Sequence, residues 1–131
     1  MVFQWSKQLS VGVEQIDEQH KELFHRISRL IESSQEDASL AFVFEFLEKY
    51  VEVHFALEET YMERYDYPKL SDHENEHTIF WENYAEIRQA YNDSGVTEEL
   101  TARIKEHLCD WLVKHILKVD MELGNFLKTK L

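Results

Sequence analysis

Apolar residues return every three or four positions through most of this chain, the repeat of one face of a helix rather than the alternation of a strand. A first helix is predicted from about Val13 to Ser34, with Ile16, Leu23, Phe24, Ile27, Leu30 and Ile31 turned inward, and Ser33, Ser34 and Asp37 marking its end and the next start. A second runs from about Ala38 to Tyr65 and carries Phe42, Phe46, Leu47, Tyr50, His54, Leu57, Glu58, Tyr61 and Met62. Tyr67-Pro68 closes it, because the residue before a proline disfavours helical backbone. Ser71, with Glu74 three residues on, has the pattern of a capping box and starts a third helix that continues to about Tyr91, before an Asn-Asp-Ser-Gly turn ending at Gly95. Thr97 is predicted to cap the fourth, with Glu98 and Glu99 at its positive end. Four helices with short connections pack as an all-α, up-down-up-down antiparallel four-helix bundle, here behind a short N-terminal arm and in a single domain over residues 1–131.

Composition narrows what such a bundle can do. Only three Gly and one Pro interrupt 131 residues that are 44% hydrophobic, so a few long helices around a substantial core are favoured over many strands. A formal net charge of −12 argues against nucleic acid or an anionic membrane as partner, since both would repel the chain. No apolar stretch is long enough for a membrane span, and the amino-terminal run MVFQWSKQLSVGVEQI lacks the apolar segment and small-residue cleavage site of an export signal. The single cysteine, Cys109, cannot form an internal disulfide, which fits a reducing cytoplasm.

The apolar stripes carry residues that do not belong in a hydrocarbon core. His20 follows Ile16 by four and precedes Phe24 by four, so it lies on the inward face of the first helix. His54 with Glu58, and His73 with His77, are each four apart, which puts both members of each pair on one helical face. His115 and Asp120 lie near the end of the last helix. One histidine on an apolar face is more often a hydrogen-bonded core residue than a ligand. Five histidines and two carboxylates converging from four segments are a different matter: imidazole suits iron, copper and zinc, and a carboxylate can bridge two cations. His25 points away from His20 by about 140° and His107 stands roughly 80° from His115, so both are expected to be bystanders. One spacing resists the pattern. His115 and Asp120, five apart, would diverge by about 140° on a straight helix, so either the helix widens locally or Asp120 is a surface residue. The run His73-Glu74-Asn75-Glu76-His77 is also a literal H-E-x-x-H, the zinc metalloprotease signature. A mononuclear zinc site, however, takes three protein ligands and a water, fewer than the seven residues available.

Taken together, WSKQLSVGVEQIDEQH from Trp5 to His20, His54-Phe-Ala-Leu-Glu58-Glu59, His73-x3-His77 and Trp111-Leu-Val-Lys-His115-Ile-x3-Asp120 resemble the hemerythrin family in its single-domain bacterial form. That resemblance implies a non-haem centre of two iron ions bridged by oxide or hydroxide and by Glu58 and Asp120. His73, His77 and His115 would complete one iron, and His20 and His54 the other. Asp120 thereby becomes a ligand. It further implies one open coordination position for O2, bound reversibly, with Phe24, Phe55, Leu112 and Ile116 placed to form an apolar wall around it. The expected role is oxygen transport, storage or supply to an oxygen-consuming enzyme by a monomer that is not itself an enzyme. A sensor of O2, NO or redox state, or a scavenger, acting through a partner protein is the alternative.

Overall fold

A computed structural model describes residues 3–33 and 40–131. Its helices are α1 (Glu14–Ser33), α2 (Leu40–Arg64), α3 (Leu70–Ser94) and a fourth rod made of α4 (Glu98–Ile104), α5 (Trp111–His115) and α6 (Met121–Lys128), joined by wide π-type turns at Lys105–Asp110 and Ile116–Asp120. The backbone stays right-handed helical across every junction of that rod, from Lys105 through Trp111 and Ile116 to Met121. The result is the expected all-α, up-down-up-down bundle. Ser34, Asp37 and Ala38, expected to mark the first helix end and the second start, lie outside the described residues.

The inward stripe of α1 is as the periodicity predicts: Ile16, His20, Leu23, Phe24, Ile27 and Leu30 are all buried. On α2 the buried line is Leu40, Phe44, Leu47, Val51, His54, Phe55, Glu58 and Met62, which turns Phe42 and Phe46 outward. Both had been expected on the stripe, yet they are 62% and 49% exposed. The segment LAFVFEFL is apolar at nearly every position, so periodicity alone does not choose its face. Their rings pack on each other at 4.9 Å instead, and the Arg26 guanidinium covers Phe46 at 5.3 Å and Tyr50 at 4.4 Å.

Helix α2 ends where Asp66 enters the left-handed region at φ 53, and the Tyr67 N–H reaches back to the Met62 carbonyl at 2.9 Å. The capping box expected at Ser71 is not formed. Helix α3 begins one residue earlier, at Leu70, with Lys69 at its N-cap making no side-chain cap bond, so Ser71 already sits in the first turn. The helix also runs through the predicted turn to Ser94, where Gly95 at φ 69 stops it. Thr97 does cap the fourth rod: its side chain accepts from the Leu100 N–H at 3.0 Å.

The arm is tied down by Asp17, whose carboxylate accepts from the Ser10 hydroxyl at 2.6 Å and the Val11 N–H at 2.8 Å. Val11 lies directly over Gly124 of α6, where a Cβ would collide with the Val11 carbonyl oxygen and come within 2.8 Å of its Cβ. Phe3 stacks on Phe24 at 4.3 Å, and Ser28 donates to the Phe3 carbonyl at 2.6 Å. The arm thus closes the bundle beside α1.

Candidate metal centre

The fourth rod shows how backbone geometry builds the site. Leu100, Ile104, Leu108, Leu112, Ile116 and Asp120 are all buried and are spaced by four throughout. On an ideal helix of 3.6 residues per turn such a row drifts about 40° per step and would leave the core within a few turns. Each wide turn takes up about one extra residue and rotates the row back. The turn at Ile116–Asp120 also brings together residues five apart, and His115 Nε2 lies 3.1 Å from Asp120 Oδ1. The two alternatives left open by the sequence are resolved in favour of local widening.

All seven predicted ligand residues meet in the bundle interior, each no more than 3% exposed. Glu58 turns Oε1 toward His77 Nε2 at 3.1 Å and His73 Nε2 at 3.4 Å, and Oε2 toward His54 Nε2 at 3.6 Å and His20 Nε2 at 3.9 Å. Asp120 turns Oδ1 toward His115 at 3.1 Å and His73 at 3.2 Å, and Oδ2 toward His20 at 2.9 Å. Two sets of donors result, Glu58 with His73, His77 and His115, and His20 with His54, Glu58 and Asp120, the ligand atoms of each within 4.8 Å of one another. His25 is exposed and His107 half-buried, and neither belongs to these sets. Glu74 of the H-E-x-x-H run is also outside both and faces an outer pocket.

Electrostatics show what this constellation lacks. Glu58 and Asp120 are buried side by side with no lysine or arginine among their described ion pairs. Burial and mutual repulsion would neutralise Glu58, but His54, His73 and His77 hold it ionised, down to about 2. Burial acts against Asp120 in the same way, and the His115, His20 and His73 imidazoles carry it well below its ordinary range. Burial likewise opposes charge on His73, yet the Asp120 and Glu58 carboxylates, 3.2 and 3.4 Å from its Nε2, lift it to about 10, and the Asp120 carboxylate raises His20 as well. His54, where burial wins, falls to about 4. The two imidazoles whose hold on a proton is strengthened, His73 and His20, are thus the ones that face both carboxylates. Even so, both Asp120 oxygens, Glu58 Oε2 and the His20 and His115 Nε2 atoms are buried without a hydrogen-bond partner. Nitrogen and oxygen donors left orphaned around a common point are what divalent cations satisfy, so the residues fit a metal.

Outside the donors lies a layer that spacing did not reveal. Gln19 Oε1 sits 2.8 Å from His54 Nδ1, Glu59 Oε1 3.7 Å from His77 Nδ1, and Glu76 Oε1 3.9 Å from His115 Nδ1. The Gln19 contact fixes which His54 nitrogen faces a metal, whereas Glu59 and Glu76 stand beyond hydrogen-bond reach and only place negative charge behind their rings. Gln19, Glu59 and Glu76 each adjoin a ligand in sequence, which was an available hint, but each faces an imidazole on another helix, which spacing along one helix does not specify. Phe55 stacks on His77 at 3.6 Å with 4° between ring planes, and Trp111 stacks on His115 at 4.5 Å. Of the four expected wall residues, Phe24, Phe55, Leu112 and Ile116 are all buried; the ring contacts described for Phe24 are with Phe3, and those for Phe55 include His77 and His54.

Four antiparallel helices that enclose imidazoles and shared carboxylates define a helical-bundle cation-binding protein. Residues 11–127 match the family model of the hemerythrin HHE cation binding domain, and the chain belongs to the hemerythrin family. It is 34% identical over 118 residues to a bacteriohemerythrin of Pseudomonas aeruginosa, covering 88% of this chain and 75% of that one. It is 33% identical over 120 residues to a myohemerythrin of Theromyzon tessulatum, covering 92% and 89%. A bacteriohemerythrin of Stenotrophomonas maltophilia is 28% identical over 129 residues, covering 97% and 82%. A crystal structure of a leucine-to-phenylalanine mutant superposes with a TM-score of 0.81 at 26% identity, covering 95% of this chain and 97% of that one. Membership carries with it non-haem iron and oxygen binding. None of the described helices is long and apolar enough to cross a membrane.

Proposed function

We propose that the chain acts as one di-iron domain that binds O2 reversibly, for transport, storage or local supply. One iron would be held by His73, His77 and His115, the other by His20 and His54, with Glu58 and Asp120 bridging them. The observation that carries this reading is the division of oxygens: each carboxylate turns one oxygen to either set of imidazoles. Two ferrous ions so held would supply, one each, the electrons on which reversible O2 binding depends.

The chain's own residues do the rest. Gln19 accepting at His54 Nδ1 leaves Nε2 free to face the centre. Phe55, flat against His77, restrains that ring, and the buried side chains of Phe24, Leu112 and Ile116 keep water and proton donors out, which favours release of O2 as O2. No residue among them titrates, so no proton is delivered from the wall. Glu74 of the H-E-x-x-H run lines an outer pocket and stands in neither donor set, which supports a bundle-interior cation centre over a metalloprotease site. The test is anaerobic reconstitution with Fe(II), then cycles of oxygen and vacuum under a visible spectrophotometer. A band that comes with oxygen and leaves under vacuum is expected. Irreversible oxidation in the first cycle would contradict reversible binding.

A further inference from the structure

Above His77, between α2 and α3, lies a pocket of about 390 Å³ lined by Glu52, Glu59 and Glu74, with Phe55, Ala56, Thr78 and Trp81. Three carboxylates around one opening would by themselves be an ordinary solvated surface. What distinguishes this opening is its floor. His77 is only 3% exposed and lines the pocket, and its Nδ1 is buried without a hydrogen-bond partner. The nearest carboxylate oxygen, Glu59 Oε1, stands 3.7 Å from it, too far for a hydrogen bond. On the opposite side of the same ring, Nε2 lies 3.1 Å from Glu58 Oε1 in the buried centre. A single imidazole thus separates an acidic pocket open to solvent from the site that must be filled with cations.

We propose that this pocket is a transit site for divalent cations: Glu52, Glu59 and Glu74 gather the ion from solvent and His77 is the gate through which it reaches the interior. The inference rests on the reading of the buried cluster as a two-cation site. Its chemistry is ligand exchange only, water on the ion being replaced first by carboxylate oxygens and then by imidazole nitrogen. A net charge of −12 already draws cations toward the molecule, and low-dielectric walls such as Phe55 and Trp81 focus that field at the opening. Glu52 and Glu59 are seven apart on α2 and so share a face two turns long, with Glu74 on α3 opposite. The Phe55 ring against His77 sets the barrier, because His77 can swing only by sliding along it.

The test follows Co(II) uptake by the metal-free full chain in a stopped-flow spectrophotometer. The substitutions Glu52→Gln and Glu74→Gln together leave Glu59 beside His77, so they remove charge from the opening without touching the partner of the imidazole. They should slow uptake about tenfold at low salt, and the difference should shrink near 1 M salt, where screening acts within about 3 Å. Final cobalt content should stay at the unsubstituted value. Glu98→Gln with Glu106→Gln, two exposed charges on the fourth rod, should slow it less than about twofold. Equal rates for the two double variants would overturn the transit site. An unsubstituted chain that takes up only one cobalt would instead overturn the two-cation reading beneath it. As a measurement free of refolding, Mn(II) added to the iron-loaded chain should broaden the Trp81 indole resonance, and should not in the Glu52→Gln, Glu74→Gln variant. Equal broadening in both would count against the proposal.

Discussion

Glu58 and Asp120 face each other across the bundle core and divide their oxygens in the same way. Glu58 Oε1 and Asp120 Oδ1 both approach His73, at 3.4 and 3.2 Å, while Glu58 Oε2 and Asp120 Oδ2 both approach His20, at 3.9 and 2.9 Å. The two residues come from α2 and from the wide turn at Ile116–Asp120, so neither helix alone sets the arrangement. Two carboxylates that each address both sets of imidazoles would make the two cation positions of the proposed centre interdependent.

That interdependence is testable by isosteres. Glu58→Gln or Asp120→Asn keeps shape but removes the charge and half of the acceptor capacity. Each should bring iron below about one per chain, because both positions lose a ligand at once. His25→Ala and His107→Ala should leave iron content unchanged. Retention of one full iron in either isostere would show that the carboxylates act singly.

Gln19 should matter although it touches no metal. Gln19→Leu removes the acceptor 2.8 Å from His54 Nδ1 and should weaken metal binding about 10- to 100-fold in chelator competition. Gln19→Glu, which still accepts, should restore most of it. Equal affinity in all three chains would make the contact mere packing.

The metal-free protein should be most stable near pH 6.5. Below 6.5 the unfolded chain takes up a proton that folded His54 refuses until about pH 4, so stability falls as the solution is acidified through that window. Glu58, ionised in the fold down to about 2, extends the loss further into acid. Above 6.5 folded His73 keeps, to about pH 10, a proton that the unfolded chain has lost, so stability falls again as pH rises. Cations displace that proton, so metal should stabilise the protein increasingly from pH 6.5 upward. Urea midpoints of both forms between pH 5 and 9 test this, and a metal-free midpoint that climbs steadily to pH 9 would refute the role of His73.

Gly124→Ala and Gly95→Ala should separate two reasons for a glycine. At Gly124 an added Cβ strikes Val11 and must displace the arm, so a loss of about 2 kcal/mol or more is expected. At Gly95 nothing lies within 4 Å, and the cost is backbone alone: φ 69 with ψ −152 is nearly confined to glycine, at about 1–3 kcal/mol. Denaturant unfolding of the metal-free chains measures both, and a Gly124→Ala cost below about 1 kcal/mol would mean that the arm yields freely.

Much of this molecule was legible in its sequence because helices repeat where their packing partners lie. Ile16 to Leu30 on α1 and the pairs His54/Glu58 and His73/His77 follow that repeat directly. Phe42 and Phe46 were misplaced because an unbroken apolar run carries no phase. Ser71 and Glu74 had the letters of a capping box, but the chain turned into α3 one residue before them. The wide turn at Lys105–Asp110 was unanticipated, although the row Leu100, Ile104, Leu108, Leu112, Ile116, Asp120, spaced strictly by four, contained its signal: over that length a straight helix turns the row by about 200° and out of the core. Gln19, Glu59 and Glu76 adjoin ligands in sequence, but which imidazole each faces depends on how neighbouring helices pack, and no period along one helix carries that.

A pair of irons joined through Glu58 and Asp120 is tested most directly by counting iron in the reconstituted chain while recording the electron paramagnetic resonance of its oxidised form. Two irons per chain and a silent spectrum, from two ferric ions coupled through shared bridges, are the predicted result. One iron per chain, or the signal of isolated high-spin ferric ions at full occupancy, would contradict it.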